Sequence, residues 1–165
     1  MRHSHLIYGA ATVALATLTL SATPIARAHH SFAAYDMRVT KVFTGVVTRI
    51  NPDANHLQIF FAPMNDERKN VQRGADGKPI IWAVEMTGSA QSAQDGISVN
   101  SFPPGTIFSV ALHPQRDGEL AGTRGQNSMT MFKCPAKTPP EPGKHCDSVP
   151  GSVVFGRGTL PKPTE

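Results

Sequence analysis

The stretch VTKVFTGVVTRINPDANHLQIFFA, residues 39–62, decides the fold class of this 165-residue chain. Its β-branched and aromatic residues predict one strand at Val39–Ile50 and a second strand at His56–Ala62. The Asn51-Pro52-Asp53 triplet predicts the turn between them. Gly45 lies inside the first strand, where it indicates a bulge or a sharp bend. The stretch therefore predicts a hairpin whose first strand is long and bent.

The pattern of short strands continues beyond this hairpin. Three further strands and a short sixth piece are predicted at Ile80–Thr87, Thr106–His113, Gln126–Lys133 and Ser152–Phe155. A short helix is predicted at Ser89–Asp95, with Gly96 as its stop. Three strands, a helix and two more strands follow the order of an OB-type barrel, in which one bent strand serves both sides. We therefore predict a mainly β fold, a small OB-like barrel of five to six strands with one short helix; an open sandwich is the alternative.

Alternation along these strands assigns their side chains to two faces. Glu85 points away from the apolar face of the third strand, and His56 and His113 also lie opposite their apolar neighbours. We expect His145, in a loop, to be exposed. The apolar face of the third strand contributes to the core through Trp82, Val84 and Met86.

The first 28 residues have the features of a secretory signal peptide. Arg2 precedes the uncharged run Ile7–Leu20, and Ala26-Arg27-Ala28 matches an Ala-x-Ala cleavage pattern. A retained membrane anchor is disfavoured, because spanning a bilayer takes about 20 apolar residues. We expect cleavage after Ala28, a periplasmic or secreted location and no stable membrane anchor after processing. The domain prediction is a signal peptide at 1–28, a single β-barrel domain at 29–160 and a flexible tail at 161–165.

Removal of the signal peptide also changes the charge balance. Arg2 and Arg27 leave with it, so 14 of the 16 basic side chains remain against 12 acidic ones, a formal net charge of +2. The full-length pI of about 9.3 therefore overstates the basic character of the mature chain. Without a run of Lys and Arg, nucleic acid is excluded as a partner.

The two cysteines, Cys134 and Cys146, are predicted to form a disulfide. Export would place them in an oxidising compartment, where disulfides persist. The residues between them, PAKTPPEPGKH, are too rich in Pro and Gly to form a regular element. A redox pair and a metal-binding pair are the alternatives, but the spacing is not that of a C-x-x-C motif.

Cleavage after Ala28 would make His29 the first residue of the mature protein. Its α-amino group and its imidazole Nδ1 can chelate one metal ion, and a third nitrogen from another histidine would complete a histidine brace. Nitrogen-rich tetragonal sites suit Cu(II). The predicted copper ligands are drawn from His29, His30, His56 and His113. The alternative is a solvated terminus that binds copper only adventitiously, with both strand histidines simply exposed.

Catalytic motifs do not stand out. The chain has no G-x-S-x-G, no H-E-x-x-H and no phosphate-cradling glycine loop, so no catalytic residue is predicted. We expect an exported, non-enzymatic binding protein that binds copper through its mature N-terminal histidine. The alternative is a structural or adaptor module that binds an envelope protein partner without metal. A copper oxidase-like enzyme built on the brace is a third hypothesis.

Several stretches together resemble an uncharacterised family of small exported proteins of Gram-negative bacteria. They are AHHSFAAYD, TGVVTRINPDANH, WAVEMTGS and PPGTIFSVALHPQRDG. Members of that family begin, once processed, with His-His-Ser-Phe and carry Trp-x-x-Glu and Pro-x-Arg-Asp-Gly motifs. The resemblance marks His29, His30, Ser31, Phe32, Gly45, Asn51, Pro52, Trp82, Glu85, Pro114, Arg116, Asp117 and Gly118. It implies a fold and an exported location, and it implies no reaction.

This chain departs from the family pattern at two places. The family has a histidine directly after Asn-Pro, where this chain has Asp53 and reaches His56 three residues later. The segment between Cys134 and Cys146 is also unlike the short end that is usual in the family.

Overall fold

The computed structural model describes residues 32–52, 56–125 and 129–164. The predicted signal peptide and the predicted ligands His29 and His30 lie outside this part of the chain. Seven strands and one helix are present in it. They are β1 Lys41–Pro52, β2 His56–Pro63, β3 Trp82–Gly88, α1 Ser89–Gln94, β4 Ile107–Pro114, β5 Ala121–Thr123, β6 Met131–Lys133 and β7 Val153–Phe155. Two 3₁₀ turns, Phe32–Ala34 and Cys146–Ser148, complete the elements.

All seven strands belong to one sheet, in the order β1-β2-β3-β5-β4-β6-β7. An additional pairing between β1 and β4 closes five of them into a ring that is not a regular barrel. The predicted mainly β fold with one short helix is confirmed, and the ring takes the place of the expected barrel. The seven strands exceed the predicted five to six because β5, of only three residues, was not predicted. β5 pairs in parallel with β3 and antiparallel with β4.

The long first strand makes the ring possible, as the sequence predicted. β1 pairs with β4 over Lys41–Val46 and with β2 over Gly45–Pro52. Gly45 lies where both partners meet, and a Cβ there would stand 2.6 Å from Phe61 Cδ2 and 2.9 Å from the Ala62 carbonyl oxygen. Only glycine permits this approach. The register irregularity itself falls between Val47 and Arg49, so the bulge lies beyond Gly45.

The ring encloses an apolar core made by the inward-facing residues of its strands. Phe61 and Phe108 meet edge to face with ring centroids 5.2 Å apart, a favourable arrangement for aromatic rings. After α1 ends, Gly96 turns the chain at φ +76°, so the predicted helix stop is confirmed. The core is completed by Val47, Ile59, Trp82, Val84, Met86, Ile97, Phe102, Val110, Leu112, Met131 and Phe155.

One charged side chain is buried with this core. Arg124 has no exposed side-chain surface, and one of its guanidinium nitrogens lies 3.6 Å from the Asp95 carboxylate. Its Nε donates to the Met129 carbonyl oxygen at 2.7 Å. Burial lowers the pKa of Arg124 to about 10, and the nearby Asp95 charge opposes that shift. Because a buried charge needs partners, Arg124 ties the segment after β5 to the end of α1.

The C-terminal third of the chain packs on the ring. The predicted disulfide is confirmed: Cys134 and Cys146 are bonded, with Cα atoms 5.0 Å apart. The predicted fifth strand is shorter than expected, because the described part of Gln126–Lys133 is extended only at β6. The segment expected to be a flexible tail includes Thr164, whose amide donates to the Thr40 carbonyl oxygen at 3.0 Å. In the described part of the chain, no helix has the length and apolar character that a membrane crossing requires.

Candidate functional site

A row of polar side chains crosses the outer face of the ring. Directly paired residues on neighbouring strands point to the same face of a sheet. Asn51 pairs with Gln58, Gln58 with Glu85, Glu85 with Thr123, and Thr123 with His113. We call these five residues the polar row. It runs across β1, β2, β3, β5 and β4, opposite the apolar core.

Glu85 lies at the centre of this row and is largely shielded from solvent. Its side chain is only 15% exposed, and its Oε1 lies 3.4 Å from Nδ1 of His56. Its Oε2 accepts a hydrogen bond of 3.1 Å from the Tyr35 hydroxyl. The outward direction predicted for Glu85 is correct, and its carboxylate contacts two side chains, Tyr35 and His56.

Both strand histidines are held through the same ring nitrogen. His56 Nδ1 lies 3.2 Å from the Met86 carbonyl oxygen, and His113 Nδ1 lies 2.8 Å from the Val39 carbonyl oxygen. A carbonyl oxygen can only accept a hydrogen bond, so Nδ1 must carry the proton in each ring. The neutral form of each imidazole therefore has its lone pair on Nε2, the nitrogen that a metal ion would bind.

The chain preceding β1 lies across one end of the polar row. We call residues 32–40 the N-terminal segment. Its Asp36 amide donates to the Pro114 carbonyl oxygen at 2.8 Å, and the Arg116 amide donates to the Ala34 carbonyl oxygen at 2.9 Å. Arg116 Nε donates to the Tyr35 carbonyl oxygen at 3.0 Å. These contacts hold the segment along the end of β4 and the residues that follow it.

Burial and charge shift the acidity of two side chains on this segment. Burial, and next the Glu85 carboxylate, raise the pKa of Tyr35 to about 12. Hydrogen bonds from Arg38 to the carboxylate of Asp36 lower its pKa to about 2. The phenol is therefore neutral and the carboxylate ionised at neutral pH, which suits the hydrogen bonds that each of them makes.

A second polar cluster lies on the outer face of β1 and β4, beneath the disulfide-bonded segment 134–146, which we call the cysteine loop. Thr44 and Ser109 are paired across the two strands, and their hydroxyl oxygens are 2.7 Å apart. His145 Nδ1 lies 2.8 Å from Thr44 Oγ1, and the Cys146 amide donates to Ser109 Oγ at 2.8 Å. The prediction that His145 is exposed is wrong, because it is half-buried against this pair.

The charge of Arg68 contributes to the environment of His145. Burial, and next the nearby Arg68 charge, lower the pKa of this histidine. Arg68 itself is nearly buried and donates to the Lys144 carbonyl oxygen at 2.9 Å. It thereby joins the long connection between β2 and β3 to the cysteine loop.

The predicted metal ligands are only partly brought together. His56 and His113 lie on one face, separated by Glu85 and Thr123 of the polar row. Within residues 32–52, 56–125 and 129–164, no three His, Cys, Asp or Glu side chains form a group that could hold a metal ion. His29 and His30 precede the first described residue, so their positions relative to the polar row stay a prediction.

The fold and this face define a class: a small, mainly β domain whose outer polar row is covered by the chain preceding its first strand. The chain belongs to a family of unknown function, DUF6152, whose sequence model matches residues 16–126. This match takes in the N-terminal segment and β1 to β5, and it ends before the cysteine loop. No curated protein and no solved structure matched the chain.

Sequence reasoning missed Tyr35, Thr123 and Arg124 as contributors to this arrangement. Tyr35 precedes the first strand and shows no periodicity, and Thr123 belongs to a strand of three residues. The resemblance had marked Glu85 and Arg116 without a role. Both now have one in the structure, since each contacts Tyr35.

Proposed function

We propose that this protein is an exported, periplasmic copper-binding protein whose site is built on its mature N-terminus. Cleavage after Ala28 would free the α-amino group of His29, which chelates Cu(II) together with Nδ1 of the same residue. A third nitrogen comes from His30, His56 or His113. The protein binds the ion and performs no catalysis of its own.

The tautomers of the strand histidines are the observation that carries the proposal. Metal-binding histidines almost always donate their second ring N–H to a carbonyl or carboxylate oxygen, which orients the ring. His113 has this arrangement at the Val39 carbonyl oxygen, and His56 has it at the Met86 carbonyl oxygen beside Glu85. Exposed histidines without a function need no such restraint.

The course of the N-terminal segment also supports the proposal. Its Val39 carbonyl oxygen contacts His113, and its Tyr35 contacts the carboxylate next to His56. His29 is three positions before Phe32, a step that spans about 10 Å at most. We therefore propose that His29 can reach the face that carries both strand histidines.

Copper titration of the processed protein tests this function. The mature chain is exported with its own leader, and intact mass identifies its first residue. Calorimetry and electron paramagnetic resonance then follow Cu(II) binding. The matched control adds a Gly-Ser dipeptide before His29, which keeps the imidazole but displaces the α-amine from the chelate. We expect the extended protein and His29→Ala to bind Cu(II) at least about 100-fold more weakly, since loss of one of three ligands costs several kcal/mol. Equal affinities for the wild-type and extended proteins would contradict the proposal.

The same titration distinguishes His113 from His56 as the third ligand. Substitution of the correct histidine by alanine removes a nitrogen coupling from the resonance spectrum, whereas substitution of the other leaves the spectrum unchanged. If neither substitution changes it, His30 is the remaining predicted ligand.

One observation favours the alternative function, an adaptor that binds an envelope protein without metal. β7 is the last strand in the sheet order, and its Val153 and Val154 are 52% and 49% exposed. Exposed apolar side chains on an edge strand are suited to pairing with another chain. The adaptor function predicts that Val154→Lys abolishes partner capture in an envelope extract while Cu(II) affinity of the processed chain stays weak and adventitious.

A further inference from the structure

The two oxygens of the Glu85 carboxylate serve different parts of the fold. Oε2 accepts from the Tyr35 hydroxyl at 3.1 Å, and Oε1 faces His56 Nδ1 at 3.4 Å. Tyr35 belongs to the N-terminal segment, Glu85 to β3 and His56 to the start of β2. One side chain therefore connects the chain before β1 to the strand that carries a predicted ligand.

The remaining contacts of the N-terminal segment lead elsewhere. The hydrogen bonds of Ala34, Tyr35 and Asp36 with Pro114 and Arg116 lie at the end of β4 and the residues after it. His113 Nδ1 at the Val39 carbonyl oxygen and the Thr164 amide at the Thr40 carbonyl oxygen hold the rest of the segment. The Tyr35–Glu85 hydrogen bond reaches β3, so it attaches the segment to a strand that these other contacts do not reach.

The Tyr35–Glu85 hydrogen bond lies in surroundings that are largely shielded from water. The Tyr35 side chain is buried and Glu85 is largely shielded. Hydrogen bonds to an ionised acceptor are about twice as strong as neutral ones, and shielding from water increases the difference. Exposed pairs such as Lys78 with Asp76 lack this advantage.

We infer that Glu85 is a positioning residue that docks the N-terminal segment through Tyr35 and orients His56 at the same time. Glu85 thereby fixes the N-terminal segment against β3 and couples its position to the imidazole on β2. The docking stands on the described contacts alone. Its consequence for metal binding rests on the proposed copper function.

The apo protein tests the docking without any metal. A mature chain that begins at His29 contains a single tyrosine, Tyr35, because Tyr8 lies in the signal peptide. Tyrosinate absorbance then reports one group, while emission from Trp82, the single tryptophan, reports whether the fold persists. In Glu85→Gln the Tyr35 midpoint should fall from about 12 part of the way toward 10. Glu141→Gln, an exposed acid-to-amide change in the cysteine loop, should leave the midpoint unchanged.

Hydrogen exchange measured by NMR gives a second readout at neutral pH. The amides of Asp36 and Arg116 are bonded across the docked segment. Loss of one hydrogen bond to a charged acceptor should speed their exchange about ten-fold in Glu85→Gln and in Tyr35→Phe. An unchanged tyrosine midpoint together with unchanged exchange would overturn the docking.

Cu(II) binding by two variants distinguishes a positioning role of Glu85 from an effect of its negative charge alone. Tyr35→Phe keeps the aromatic ring and the charge of Glu85, and removes only the hydroxyl. If Glu85 acts through position, Tyr35→Phe and Glu85→Gln both weaken Cu(II) binding by about ten-fold and alter its resonance spectrum. If only Glu85→Gln does so, Glu85 acts as a nearby charge and the positioning role for copper is wrong. If the wild-type protein itself fails to bind Cu(II), the copper function is wrong, and the apo measurements still decide the docking.

Discussion

The N-terminal segment and the cysteine loop cover the outer face of the same ring in contrasting ways. Each brings one titratable side chain onto polar strand residues: Tyr35 onto Glu85, and His145 onto the Thr44–Ser109 pair. Noncovalent contacts hold the N-terminal segment, whereas a disulfide closes the cysteine loop. The difference shows that one fold can fix one cover by a covalent bond and another by hydrogen bonds alone.

The two covers should also differ in their response to pH, one being sensitive to acid and the other to alkali. His145 has a lowered pKa, so acid adds a proton that its half-buried site disfavours. Tyr35 has a raised pKa, so alkali removes a proton that burial and the contact with Glu85 retain. Acid should therefore loosen the cysteine loop, and alkali the N-terminal segment.

The largest effect is expected from removing the disulfide, in Cys134→Ala/Cys146→Ala. Its cysteines are 12 positions apart, and a loop of this size stabilises the fold by about 3 kcal/mol by restricting the unfolded chain. Urea denaturation of the wild-type and double-variant proteins measures the loss. Hydrogen exchange of the Asp36 amide, measured in both proteins at urea concentrations below the unfolding transition, reports on the N-terminal segment for comparison with the cysteine loop. If the Asp36 amide begins to exchange at the same urea concentration as the amides of the cysteine loop, the two covers do not open independently.

A smaller loss is expected from Thr44→Val, which keeps the shape of the side chain and removes its hydroxyl. Ser109 and His145 Nδ1 would each lose a partner in a shielded site, at a cost of about 2 kcal/mol in the free energy of unfolding. Thr48→Val on the same strand is the matched control, because its hydroxyl donates to the Phe60 carbonyl oxygen in an exposed position. Equal losses for the two variants would show that the buried cluster adds no stability.

Acid should have the next largest effect, through His145. The unfolded chain has a histidine pKa near 6.5, and the folded pKa lies below it. The unfolded state therefore takes up the proton first, so this contribution is complete above pH 6.5 and is lost as pH falls through the folded pKa. The free energy of unfolding should decrease from pH 7 to pH 5, and the decrease should be smaller in His145→Gln. If the free energy of unfolding depends on pH identically in both proteins, His145 does not cause the loss of stability in acid.

The smallest effect on global stability is expected from alkali, because Tyr35 lies on a segment outside the core. Its folded pKa of about 12 exceeds the value of 10.0 for the unfolded chain. Its contribution is complete below pH 10 and is lost as pH rises from 10 through 12. Thermal unfolding at pH 9 and pH 11 should show a larger decrease in Tm for the wild type than for Tyr35→Phe. Lysines titrate in the same range in both proteins, so only the difference between the two decreases is informative.

Local pattern predicted much of this fold and part of the candidate site. Alternation placed Trp82, Val84 and Met86 in the core and turned Glu85, His56 and His113 outward, because a strand has a strict two-residue repeat. The cysteine pair was also predictable, since two cysteines allow only one pairing within the chain. β5 was missed because a strand of three residues carries almost no periodicity.

Sequence alone therefore determined the mainly β class, the outward direction of the polar residues and the disulfide of the cysteine loop. These are properties of side-chain chemistry and near neighbours along the chain. Tertiary structure alone decided that Tyr35, Glu85 and His56 meet, that Arg124 is buried with Asp95, and that His145 is covered. Each of these contacts joins residues distant in the sequence, and their meeting depends on strand register and on the closing of the ring between β1 and β4. No local pattern contains that information, because register is set by the packing of the whole core.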